Sequence, residues 1–82
     1  MEIDVKAVGQ RLLVTVTPQE GDPWSSVEPL SPTEALEALQ RLGVHQVDAM
    51  DALDASGLYW QPIHDAEVRR RRAARGSAEL PI

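Results

Sequence analysis

Residues 2–17, EIDVKAVGQRLLVTVT, decide the fold. Two runs rich in β-branched residues flank Gly9-Gln10, a short turn with glycine first, which is the type II′ preference. That turn pairs Val8 with Arg11 and, working outward, Ala7 with Leu12, Val5 with Val14 and Ile3 with Val16. Side chains alternate across a strand, so Ile3, Val5, Ala7, Leu12, Val14 and Val16 share one apolar face. The other face carries Glu2, Asp4, Lys6, Arg11, Thr15 and Thr17, with only Val8 and Leu13 apolar. A one-residue slip would mix the two faces, so the register is strongly specified.

The apolar face needs a cover, and Leu30 to Gly43 supplies the best-signalled one. Ser31 is the expected N-cap, Pro32 the first helical residue and Glu34 the third, a Ser-x-x-Glu capping box. Leu30 is placed to staple onto Ala35. Glu34 and Glu37 lie towards the positive end of the helix and Arg41 in its last turn, as the dipole favours. Glu37 and Arg41 are also spaced as an i,i+4 pair. Ala35, Leu36, Leu39 and Leu42 form the stripe expected to face the hairpin. Gly43 is a natural stop before apolar Val44. The alternative, one long helix running through Gly43, would cost about 1 kcal/mol relative to alanine.

Between hairpin and helix, Pro18 ends the second strand because it cannot donate to a ladder. Gln19 to Pro29 reads as an acidic loop with Trp24 at its centre. Trp24 either folds back to fill a core poor in large side chains or stands out as an anchor for a partner. In the second case Glu20, Asp22 and Glu28 form an acidic rim around it.

After Gly43, Val44 to Ser56 reads as a second helix stopped by Gly57. Val44, Val47, Met50 and Leu53 recur every three residues, and Asp48, Asp51 and Asp54 do the same on a neighbouring face. Leu58 to Gln61, bounded by Gly57 and Pro62, is a candidate third strand, since a lone hairpin is marginal in water. Ile63 to Arg75 is expected to be helical, with Asp65 as its N-cap. It has few large apolar residues, and Gly76 to Ile82 reads as a tail in which Leu80 and Ile82 either dock on a groove or stay disordered. The chain thus divides into a compact body, 1–62, and a basic helix with tail, 63–82, packed on it or extending from it. The fold class is α+β: an antiparallel hairpin, with a third short strand where the sheet extends, packed against two or three helices.

Composition narrows the function. The chain has 82 residues, enough for one core. It lacks phenylalanine, so that core is built from Leu, Val, Ile and Ala and will be thin. Self-association or a partner would help such a domain. The absence of cysteine rules out disulfides and thiolate chemistry and suits a reducing, cytoplasmic setting. The acidic N-terminus lacks the pattern of a secretory signal, and no apolar run approaches the roughly 20 residues of a membrane span.

Charge is distributed unevenly. Residues 1–60 hold ten acids and three bases, whereas residues 61–82 hold three acids and five arginines. Asp48, Asp51 and Asp54 form a slanted negative stripe of mutually repelling carboxylates, and Asp54 also opposes the helix dipole. Such a stripe suits a solvated face, or docking on a basic protein surface in place of a phosphate backbone. Three carboxylates on one helix lack calcium-loop geometry, so no metal is expected. Arg69, Arg70, Arg71 and Arg72 cover one helical turn, and Arg75 extends it. This basic patch suits a solvated tail, an acidic partner, a second copy's aspartates, or phosphate.

Other chemistries find little footing. Leu42-Gly43-Val44 resembles the turn of a helix-turn-helix, but the would-be recognition helix carries three aspartates, which a polyanion repels. His45, just after a helix stop, reads as a cap or surface residue. His64 and Asp65 are neighbours in sequence, which does not give a base and its orienter the facing geometry they need. No nucleophile signature or glycine-rich phosphate loop is present, and neither an enzyme nor a cofactor is expected.

The sequence therefore points to a small, acidic, non-catalytic binding protein that inhibits or regulates a basic, nucleic-acid-binding partner protein. Small phage-encoded inhibitors of host defence are similar in size and charge. Asp48, Asp51 and Asp54 would steer the encounter, while Trp24 and the Tyr59-Trp60 pair would supply affinity. The alternative is an assembly subunit, as in a phage particle, joined through the hairpin edge and the arginine-rich tail as a dimer or larger array. A third reading is a nucleic-acid binder acting through Arg69 to Arg72.

Overall fold

The computed structural model describes residues 1–79, with side chains described through Ala74. Strands β1 (Glu2–Val8) and β2 (Arg11–Thr17) pair in the expected register, with Ile3 opposite Val16, Val5 opposite Val14 and Ala7 opposite Leu12. Gly9 takes φ +63° while Gln10 keeps negative φ, the signature of a type II′ turn. Val5, Leu12, Val14 and Val16 are buried beneath the sheet.

The sheet has three antiparallel strands in the order β1-β2-β3. Its third member is β3 (Trp24–Ser25), not Leu58 to Gln61. The loop after Pro18 folds back along the outer edge of β2, setting Val16 opposite Trp24 and Thr15 opposite Ser25. Further along that edge, Ser26 N–H donates to the Val14 carbonyl and Leu12 and Leu30 exchange backbone hydrogen bonds. The outward backbone groups of β2 need partners, and this loop is near enough in sequence to supply them. Leu58 to Gln61 instead forms the connection into the last helix.

Helix α1 (Pro32–Arg41) starts at a complete capping box. Ser31 Oγ accepts from the Glu34 N–H, and the Glu34 carboxylate accepts from the Ser31 N–H. It stops at Gly43, whose φ of +92° excludes a continuous helix. Val44 N–H donates to the Leu39 carbonyl and Gly43 N–H to the Gln40 carbonyl, a Schellman closure. Thr33, Ala35, Leu36 and Leu39 are buried, whereas Leu42, the last residue of the expected stripe, is exposed at the helix end.

Helix α2 (Gln46–Ala55) is capped by His45, whose Nδ1 accepts from the Val47 N–H. Its packing face is Ala49 and Leu53, an i,i+4 pair, with Ala52 beside them. The expected stripe at every third residue does not hold. Steps of three precess by about 60° around a helix, so Val47 and Met50 rotate away from the core. Val44 is buried, but it belongs to the closure of α1.

Helix α3 (Gln61–Glu79) begins earlier than expected, with His64 N–H on the Trp60 carbonyl, so Asp65 lies inside it and is not its cap. It also continues past Gly76. The roles considered for Leu80 and Ile82 lie outside the described residues. Among the described residues, no helix is long and apolar enough to cross a membrane.

Candidate functional site

The three aspartates of the stripe are not equivalent. Asp54 accepts a 2.7 Å hydrogen bond from the indole N–H of Trp60 and is also within reach of the Gln61 amide. Trp60 is 2% exposed and sits in the core against Leu53 and its neighbours. Asp54 therefore helps to seat the largest side chain of the core, and Trp60 packs inside the protein rather than anchoring at its surface. Asp48 and Asp51 are exposed and make no ion pair among the described residues.

Around these two carboxylates the surface is unusually apolar. Val47 is 57% exposed and Met50 36%. With 100° between successive residues, Val47, Asp48, Asp51 and Asp54 lie on the half of α2 opposite Ala49 and Leu53, with Met50 at its margin. Helix α2 thus presents large apolar side chains set among carboxylates. Tyr59, 76% exposed, stands in the connection that leaves α2.

Trp24 is half-buried. It packs against the core from β3 and lines a shallow hollow with Leu30, Glu34 and Arg41. Its neighbours Glu20, Asp22 and Glu28 are exposed. The loop tips carry further apolar surface at Val27.

The arginine run lies along α3, where it meets α1. Arg71 forms an ion pair with Glu37 and a longer one, 3.9 Å, with Glu67. Glu37 thus faces α3 rather than Arg41, the partner its helical spacing suggested. The Glu37 hydrogen bond, opposed by partial burial, raises the Arg71 guanidinium above its ordinary value. Ser31 Oγ donates to Glu67 at 2.7 Å, and Thr33 Oγ1 lies 2.8 Å from His64 Nδ1. Burial pushes the Glu67 carboxyl up, but the hydroxyls of Thr33 and Ser31 and the charges of Arg71 and Arg70 outweigh it. The carboxyl ends below its ordinary value. His64 also tilts against Trp60, with ring centroids 5.9 Å apart.

These contacts stitch α3 to α1 through residues 64, 67 and 71, one helical face. They border an open groove of about 350 Å³ lined by Leu36, Gln40, Gln46, Val68 and Arg72 among others. Thr33 pairs with His64 and Glu37 with Arg71 across it, and no buried side-chain polar atom lacks a partner among the described residues. With its buried polar groups satisfied across the two helices, the groove reads as a helix seam rather than a ligand pocket with convergent buried donors. Arg69, Arg70 and Arg72 are exposed, and the side chain of Arg75 lies outside those described.

Taken together, the fold and its surface define a small α+β domain with one acidic-apolar helix face and one basic helix. Compared with known protein families, with curated proteins and with solved structures, the chain matches none.

Proposed function

We propose that this chain is a non-catalytic binding protein that docks the exposed face of α2 on a basic surface of a partner protein, as an inhibitor or regulator does. The observation that carries this reading is the exposure of Val47 and Met50 beside Asp48 and Asp51. Exposed carboxylates alone would serve solubility. Large apolar side chains turned to water among them gain free energy only when something covers them. Charge around an apolar centre is the layout by which electrostatics sets the encounter rate and apolar anchors set residence. Tyr59 extends the apolar surface, and Trp24 with its acidic loop offers a second contact.

The test is affinity capture from the source cell followed by binding kinetics with the purified partner. Asp48→Asn with Asp51→Asn should slow association about ten-fold and flatten its salt dependence. Val47→Ser with Met50→Ser should mainly speed dissociation. A partner whose binding ignores both pairs of changes would overturn the reading. Asp54 is left unchanged in these variants because it supports Trp60.

An assembly subunit is the second reading. It draws on a different observation, the unpaired outer edge of β1.

A further inference from the structure

Strand β1 is an edge of the sheet, and its backbone is open in a defined way. The outward groups of β2 belong to Leu12, Val14 and Val16, which bond to the returning loop and β3. The groups of β2 that face β1 are therefore those of Arg11, Leu13, Thr15 and Thr17, opposite Val8, Lys6, Asp4 and Glu2. By the same alternation Ile3, Val5 and Ala7 point their N–H and C=O groups away from the sheet. None of these groups has a hydrogen-bond partner among the described residues.

We infer that this edge pairs with β1 of a second copy, antiparallel, about a two-fold axis at Val5. In that register Val5 faces Val5 of the second copy and Ile3 faces Ala7, each pair exchanging two backbone bonds. The apolar underside then runs on across the junction and covers Ile3, now half-buried, and Ala7, now exposed. On the solvent face Asp4 of each copy falls opposite Lys6 of the other, in the non-hydrogen-bonded position where side chains approach most closely. Within the monomer Asp4 faces Thr15 and Lys6 faces Leu13, so neither charge has an ionic partner across the hairpin.

The charges also weigh against the neighbouring registers. A shift one way sets Glu2 opposite Lys6 but brings Asp4 against Asp4 at the axis, and a shift the other way puts Lys6 against Lys6 with Asp4 opposite Val8. An odd shift would turn the apolar face to water. Edges protected against association commonly carry charge that repels a copy of itself. This edge alternates sign so that it complements its own copy. The inference does not rest on the α2 surface.

Analytical ultracentrifugation of the full chain over a wide concentration range tests the pairing. The wild type should dimerise. Asp4→Lys and Lys6→Asp should each weaken dimerisation about ten-fold or more, since each creates like-charge pairs at two symmetric positions. The double variant, Asp4→Lys with Lys6→Asp, should restore it, because the charges complement again. Ala7→Pro removes an outward N–H at an exposed edge position, so it should give a monomer with an unchanged circular dichroism spectrum. Amide exchange at Ile3, Val5 and Ala7 should slow as concentration rises. A chain monomeric at every concentration, or a dimer indifferent to both charge reversals, overturns the inference. So does a double variant as weak as the single ones. Asp48→Asn with Asp51→Asn should leave the dimer intact; its loss would assign the contact to α2.

Discussion

Replacing each aspartate of α2 with alanine should separate three residues that look alike. Asp54→Ala removes the acceptor of the Trp60 indole N–H, a 2.7 Å bond to a side chain only 2% exposed. Losing a hydrogen bond to a charged group and leaving a buried donor unpaired costs about 2–3 kcal/mol. Two gains oppose this loss. Repulsion from Asp51 is relieved, worth about 0.2–0.5 kcal/mol, and an anion leaves the negative end of the helix, worth about 0.3–1 kcal/mol. The net loss is therefore about 1–2 kcal/mol, and the melting temperature should fall by about 5–15 °C. Asp51→Ala loses no partner and should be neutral or slightly stabilising. Asp48→Ala should also fall within about 0.5 kcal/mol, because relief of repulsion offsets its favourable place in the first turn. Urea denaturation with calorimetry measures all three. Repeating Asp54→Ala in a Trp60→Phe background, where no indole N–H remains, should abolish the loss. If Asp54→Ala unfolds no more readily than Asp51→Ala, the structural role of Asp54 is refuted.

Two further outcomes follow from the seam between α1 and α3. Ser31→Ala should cost about 2 kcal/mol in urea unfolding, about twice an ordinary cap, because Ser31 Oγ both caps α1 and donates to Glu67; Ser31→Thr, which keeps the hydroxyl, should recover most of it. The folded state holds the Glu67 carboxyl below its ordinary value, so its contribution is present at neutral pH and lost as the pH falls through and below the usual carboxylate range. Urea titrations from about pH 7 to about pH 3 should show that loss, and Glu67→Gln should make the wild-type slope shallower.

The difference between α2 and α1 explains how much of the candidate site was legible beforehand. The stripe at 48, 51 and 54 can be read from spacing alone, and so can the neighbouring apolar residues. Which of them meet water depends on which way α2 turns. Ala49 and Leu53, not Val47 and Met50, face the core, so the apolar content of the outward face emerges only from packing. The spacing of three suits neither orientation uniquely, because it drifts around the helix.

Contiguous residues determined the hairpin register, the capping box at Ser31 and Glu34, and the stop at Gly43. Each is a short-range matter of turn chemistry, side-chain alternation or local hydrogen bonding, complete within a few residues. Tertiary structure alone decided that Trp24 and Ser25 continue the sheet, that Asp54 holds Trp60, and that Glu37 and Ser31 meet Arg71 and Glu67. The last two contacts join residues 34 and 36 positions apart. Local propensity carries no information across such a distance; the burial of the hairpin's apolar face, which draws the helices onto it, brings those side chains together.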